Sequence, residues 1–278
     1  MRIKREDFRQ LKHKNLTLLG MSGVGKTHLA KLLSDNDTYF HYSGDYRIGS
    51  EYLNNDILDN VKARMRQDPC LAELLDDQAV DLVNQMTFDN LSSVSNFLGK
   101  VGNPEQGGLP LGEFKRRQAL HRQAEVKAMC DVPGFIDRAR QAGFSHFIND
   151  AGGSLCELDD DTTYELLSEH TLILYIKAND KNVNDLIERA RTHPKPLYYQ
   201  SAFLDEQLKI YLSENQLTYV AQINPNAFVR WIFPRLLEHR VPKYEAIAQR
   251  YGYTIDSQAL YQCQNAEDVF QLIEQVLD

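Results

Sequence analysis

Eight consecutive residues, Gly20-Met-Ser-Gly-Val-Gly-Lys-Thr27, carry the most explicit chemistry in this chain. They match the glycine-bracketed pattern, closed by lysine and a hydroxyl residue, that cradles nucleotide phosphates. Glycine at 20, 23 and 25 lets backbone N–H groups turn inward with no side chain between them and an anion. Lys26 is expected to reach the β- and γ-phosphates, and the Thr27 hydroxyl to ligate Mg²⁺. Val24 inside the loop and His28 directly after it complete the residues expected against the nucleotide. The expected ligand is a nucleoside triphosphate, ATP with Mg²⁺. GTP is disfavoured because the chain has no Asn-Lys-x-Asp sequence.

Such a loop works only between a strand and a helix. Residues 15–20 are a short apolar run fit for a buried parallel strand, and residues 28–33 place Leu29, Leu32 and Leu33 on one helical face. A second strand over 39–43 runs into Gly44 and Asp45. A third, with Phe147 and Ile148, runs through Asn149 and Asp150 into Gly152-Gly153. Residues 171–177 are the clearest buried strand, while 218–223 and 251–255 compete to be the last one. Strands alternating with helices predict an α/β chain with a parallel sheet covered on both faces, the P-loop NTPase fold class. Sheets of this type bind ligands at the carboxyl ends of their strands, where Asp45 and Asp150 fall.

Between residues 51 and 143 the pattern turns helical. Ile57, Leu58, Val61 and Met65 share one predicted face, and Leu71, Leu74, Leu75 and Leu82 another. A glycine- and proline-rich break at 99–112 precedes a charged helix over 113–129. Residues 183–191 form a further helix, stopped by His193-Pro194-Lys195-Pro196. A closing helix at 266–277 turns Val269, Phe270, Ile273 and Val276 inward. The expected organisation is a core in two parts, 1–50 and 144–278, around a helical insertion, 51–143, that forms the acceptor or lid region.

The chain has 278 residues and a formal net charge of −8, with 42% hydrophobic and 25% charged residues. An acidic surface opposes binding to nucleic acid or anionic membrane. No run is long and apolar enough to span a bilayer, and Met-Arg-Ile-Lys-Arg-Glu at the start has no apolar region behind its charges. Cys70, Cys130, Cys156 and Cys263 are scattered without metal-ligand spacing, so reduced thiols and a cytoplasmic location are expected.

The order of these motifs resembles the shikimate/gluconate kinase branch of the P-loop small-molecule kinases. Besides the loop, the resemblance rests on His41-Tyr-Ser-Gly-Asp45, residues 149–154, residues 186–197, and Arg240-Val-Pro-Lys-Tyr-Glu245. It implies that Asp45 contacts the acceptor hydroxyl and that residues 186–197 form a lid whose arginines fold over the ATP phosphates. It also implies that an arginine in the helix before the third strand reads the substrate. The chain departs from the pattern at Ser43, where the first of two acids stands, at Ala151 in a glycine triplet, and at Lys195 in the lid signature.

From these features Asp45 is expected to orient or deprotonate the acceptor, and Asp150 to serve magnesium or the acceptor, an alternative that stays open. Arg189 is expected on the nucleotide, and Arg191, nearer the proline break, on the transferred phosphoryl group. Arg47 and Lys115-Arg116-Arg117 are candidate anion readers or solvated charges. His121 and His146 are expected to be structural or on the surface, and Tyr198, Tyr199 and Trp231 to be packing. The combined expectation is transfer of the ATP γ-phosphoryl to a small-molecule hydroxyl or phosphate acceptor. The alternative is a switch-type ATPase that holds a protein partner through the insertion.

Overall fold

The computed structural model describes residues 2–34 and 38–277. Helix α1 (Arg5–Gln10) leads into β1 (Asn15–Leu19), and the glycine loop then feeds α2 (Lys26–Ser34). Next come β2 (Tyr39–Ser43) and α3 (Gly44–Arg47), followed by α4 (Asn54–Met65), α5 (Pro69–Asp76), α6 (Ser92–Leu98), α7 (Leu111–Cys130) and α8 (Val132–Gln141). The chain returns to the sheet at β3 (His146–Asp150), crosses through α9 (Asp161–His170) to β4 (Leu172–Lys177), and continues into α10 (Asp180–Thr192) and α11 (Ser201–Glu214). The 27-residue α12 (Pro225–Tyr251) delivers β5 (Gly252–Asp256), and α13 (Ser257–Gln262) and α14 (Ala266–Val276) close the fold.

The five strands are all parallel, in the order β2-β3-β1-β4-β5. β1 is central and Leu16, Thr17, Leu18 and Leu19 are wholly buried, as a strand covered on both faces requires. The step from β1 to β2 runs opposite to the other three crossovers. Right-handed connections therefore put α2 on one face, with α14 packed against it, and α8, α9 and α12 on the other. Register aligns Asp150 with both Leu18 and Ser43, so the carboxyl ends of β1, β2 and β3 meet at one place.

A second hydrophobic cluster lies apart from the sheet. Phe203, Leu204, Leu208 and Tyr211 of α11 pack on Phe228, Ile232 and Leu236 of α12, joined by Val101 and by Phe114 of α7. The insertion thus contributes to both cores, since Ala124, Ala128 and Met129 of the same α7 pack toward the sheet.

Three expectations change. Residues 218–223 are not a strand: Val220–Gln222 form one 3₁₀ turn that drops a fully buried Ile223 into the second cluster, and β5 completes the sheet. The predicted face of Leu71, Leu74, Leu75 and Leu82 does not form, because α5 stops at Asp76 and buries none of its residues. On α4 Ile57 is buried but Val61 is 42% exposed, there being no element to cover that side.

Candidate active site

The phosphate-type loop has the backbone its glycines permit. Gly20, Gly23 and Gly25 have φ of +146°, +93° and +111°. At Gly20 space forbids a side chain as well, since a Cβ would stand 2.8 Å from the Ile176 carbonyl oxygen, while one at Gly23 would stand 2.7 Å from Arg189 Nη1 and displace that guanidinium. Lys26 is 7% exposed and its Nζ donates to the carbonyl oxygens of Gly20 at 2.7 Å and Met21 at 3.1 Å. Burial lowers its pKa, opposed by the charges of Asp150 and Asp45. The ammonium is therefore stored on the loop's own carbonyls, facing two carboxylates.

At the first turn of α2, Thr27 Oγ1 donates to Asp150 Oδ2 at 3.0 Å. This bond ties the start of the helix to the end of β3. His41 Nε2 lies 3.7 Å from the same carboxylate oxygen and has no hydrogen-bond partner. Ser43 accepts from the Tyr46 amide at 3.3 Å, so it caps α3 where an acid was noted as missing. That cap places Asp45 in the first turn of α3. Its pKa is raised, first by burial and then by Asp150, with Lys26 acting in the opposite direction.

The turn after β3 is pinned from behind. Tyr244 donates its hydroxyl to the Gly153 carbonyl, and Arg240 Nη1 donates to the same oxygen at 3.0 Å. Arg240 is otherwise consumed by Glu157, which accepts from Nε at 2.8 Å and from Nη2 at 2.5 Å, and by the Tyr198 carbonyl at 2.9 Å. Gly153 lies against the loop, its Cβ position 3.1 Å from the Ser22 amide nitrogen. At Gly152 a Cβ would stand 2.6 Å from Glu125 Oε1 and 2.9 Å from Asp45 Oδ1. Glu125 is wholly buried and takes a hydrogen bond from Ser154 Oγ at 2.6 Å. Burial raises its pKa to about 8, Ser154 opposing and the Asp45 charge adding to the shift.

A cleft of about 430 Å³ joins these parts, with the glycine loop at one end and His41, Ser43, Asp45 and Phe88 at the other. Phe88 is half exposed and rests on the rings of His41 and Tyr46. Tyr261 of α13 stacks on His28 beside the loop. A cavity of about 500 Å³ at the other end of the sheet, near Lys12–Asn15 and His170, has no glycine loop.

Lys26, Thr27, Asp45 and Asp150 therefore share one cleft. Of the two arginines of α10, Arg189 lies against the loop at Gly23, while Arg191, expected on the transferred phosphoryl group, is 65% exposed beside Glu188 at 3.6 Å. The helix turn explains it, because residues two apart point to different sides. Arg47 pairs with Asp131 at 2.7 Å and Glu51 at 3.1 Å. In the basic run, Lys115 pairs with Asp205, Arg116 and Arg117 both pair with Glu113, and none of the three lines the cleft. His121 is buried, stacked on Tyr198 and 3.8 Å from Glu125, so it is structural and not on the surface; its pKa falls to about 4 through burial. Phe88, Glu125, Glu157 and Tyr261 carry no sequence signal as site residues, since each enters through long-range packing, and His41 stands there only as the first residue of the motif that ends in Asp45.

The oxygen donors Thr27 and Asp150 suit Mg²⁺, which prefers few protein ligands and keeps several waters. Among the described residues no three His, Cys, Asp or Glu side chains are grouped to hold a metal ion by themselves. No helix there is long and apolar enough to cross a membrane.

No family model matches the chain, and no curated protein matches it. Among solved structures the chain is similar to shikimate kinase from Bacteroides thetaiotaomicron, with 15% identity and a TM-score of 0.44 over 94% of this chain and 97% of that one. It is also similar to shikimate kinase from Acinetobacter baumannii in complex with shikimate, with 16% identity and a TM-score of 0.41 over 98% and 95% of the two chains.

Proposed function

We propose that this chain is a kinase that moves the γ-phosphoryl group of ATP onto the hydroxyl of a small molecule. The observation that carries this reading is Asp45, a carboxylate of raised pKa placed in one cleft with Lys26 and with the Thr27–Asp150 bond. A site built only to bind nucleotide does not need that third group.

The loop amides and the amino end of α2 receive the phosphates. Lys26 leaves the Gly20 and Met21 carbonyls and moves onto the β- and γ-phosphates, a short swing from a stored position. Mg²⁺, held by Thr27 and through water by Asp150, would neutralise charge on the phosphates. Arg189 covers the loop at Gly23 and faces the same charge. Asp45 takes the proton of the acceptor hydroxyl as that oxygen bonds to the γ-phosphorus. The bond from the γ-phosphorus to the β,γ-bridging oxygen breaks, and ADP leaves with that electron pair.

One observation favours the alternative, a switch-type ATPase with a protein partner. Val61, Leu74, Val80 and Val83 are exposed on the insertion, Val83 at 84%. The two readings separate on the fate of the γ-phosphate. With Mg²⁺ and γ-labelled ATP, a small-metabolite extract should draw label onto a new organic compound. Label released only as inorganic phosphate, at one rate with or without extract, would sink the kinase reading.

A further inference from the structure

We infer that the acceptor is a hydroxyl compound carrying no anionic group, a neutral polyol or an amino alcohol. This deepens the kinase reading and rests on it. The inference rests on the charge lining the cleft beyond Asp150. Among the described residues that line it, the lysines and arginines are Lys26 and Lys31 alone. Lys26 is taken by the ATP phosphates in the proposed reaction, and Lys31, further along α2, faces Asp89 at 3.5 Å. At the opposite end stands Asp45, and directly behind Gly152 stands the wholly buried Glu125, whose Oε1 has no hydrogen-bond partner. Both carboxyl groups crowd the one point where residue 152 has no side chain.

The guanidinium nearest this wall cannot serve an anion. Each nitrogen of Arg240 is already taken, by Glu157, Gly153 and Tyr198. Arg47 is likewise bound to Asp131 and Glu51, Arg116 and Arg117 to Glu113, and Arg122 to the Leu158 carbonyl, and none of them lines the cleft. A carboxylate or phosphate on the acceptor would lose its water and meet Asp45 with no lysine or arginine there to compensate, and the His41 ring at that end already faces Asp150 at 3.7 Å, a combination that disfavours anionic ligands by like charge. A hydroxyl or ammonium group would instead find Asp45 as an acceptor. Burial keeps Glu125 protonated at neutral pH, so it both donates and accepts, as a hydroxyl does.

The test splits a neutral small-metabolite extract on a strong anion exchanger. The unbound fraction and the salt-eluted fraction are each offered to the intact protein with Mg²⁺ and γ-labelled ATP. The unbound, neutral and cationic fraction should carry label transfer about tenfold or more above the eluted fraction. Transfer confined to the eluted, anionic fraction overturns the inference while leaving the kinase reading in place. Label found only as inorganic phosphate with both fractions overturns the kinase reading, and the inference with it. A second measurement adds millimolar gluconate to the wild-type reaction. Transfer should be unchanged, and inhibition at that concentration overturns the inference.

Discussion

At its phosphate end the cleft is walled by the glycine loop and one strand end, whereas its other end is assembled from His41, Asp45 and Phe88, with Glu125 buried behind Gly152. The first end is mostly backbone: glycines at positive φ, inward amides and the start of a helix. The second is mostly side chains, and two polar atoms there, His41 Nε2 on the wall and Glu125 Oε1 behind it, lack partners. Buried polar groups are normally satisfied, so such a group beside a cleft is free to take a ligand. One end is thus finished before any ligand arrives, and the other presents groups for an acceptor to complete.

Four changes would break or sharpen that contrast. The largest effect is expected from Asp45→Asn, which removes the base and leaves the loop intact: transfer to acceptor should fall by about 10²–10⁴-fold. ATP affinity, followed by titration with a fluorescent nucleotide, should hold. An equal loss of both would mean the two ends are not separate. Lys26→Ala should cost about 10²–10³-fold in turnover, with an unchanged circular dichroism spectrum, because Lys26 serves charge and not packing. Unaltered turnover there would overturn the loop assignment.

A smaller contrast lies within α10. Arg189→Ala should lower turnover by about tenfold, the loss of one charge contact of roughly 1.4 kcal/mol, while Arg191→Ala stays close to wild type. Equal effects would show that position on the loop does not decide their roles. The smallest effect concerns stability. Glu125 titrates near 4.5 when unfolded and about 8 when folded, so between these values the folded state holds a proton that the unfolded chain has lost. Stability should therefore fall as pH rises through that window, and Glu125→Gln should flatten the fall in thermal melts across pH 5–8. A wild-type profile as flat as the variant's would place the Glu125 carboxyl in a wetter setting.

Legibility followed the same division. The glycine loop, β1, Asp150 and α2 could be read from sequence because their meaning is local: φ, spacing and apolar runs decide them. Residues 218–223 misled because Thr218, Tyr219, Val220 and Ile223 are residue types that favour strands, while the cluster that receives Ile223 is built by α11 and α12, which local pattern does not reveal. Leu82 failed for a related reason, since amphipathic spacing predicts burial only where an opposing face exists. Arg240 was visible as part of a motif, but its closure by Glu157 depends on a 3₁₀ turn 83 residues away.

α12 touches every part of this arrangement. Its first half fills the second cluster with Phe228, Ile232 and Leu236, its middle grips Gly153 through Arg240 and Tyr244, and its end lies on the sheet with Ala248. Pro234 precedes the grip by six residues and Pro242 lies between its two members. Each lacks an amide hydrogen, so the carbonyls of Arg230 and Glu238 have no helical donor. The helix is thus a beam notched twice, stiff inside each core and most compliant where it holds the glycine turn. One helix ties the second cluster to the turn after β3, so the packing of α11 on α12 bears on how that turn is held against the loop.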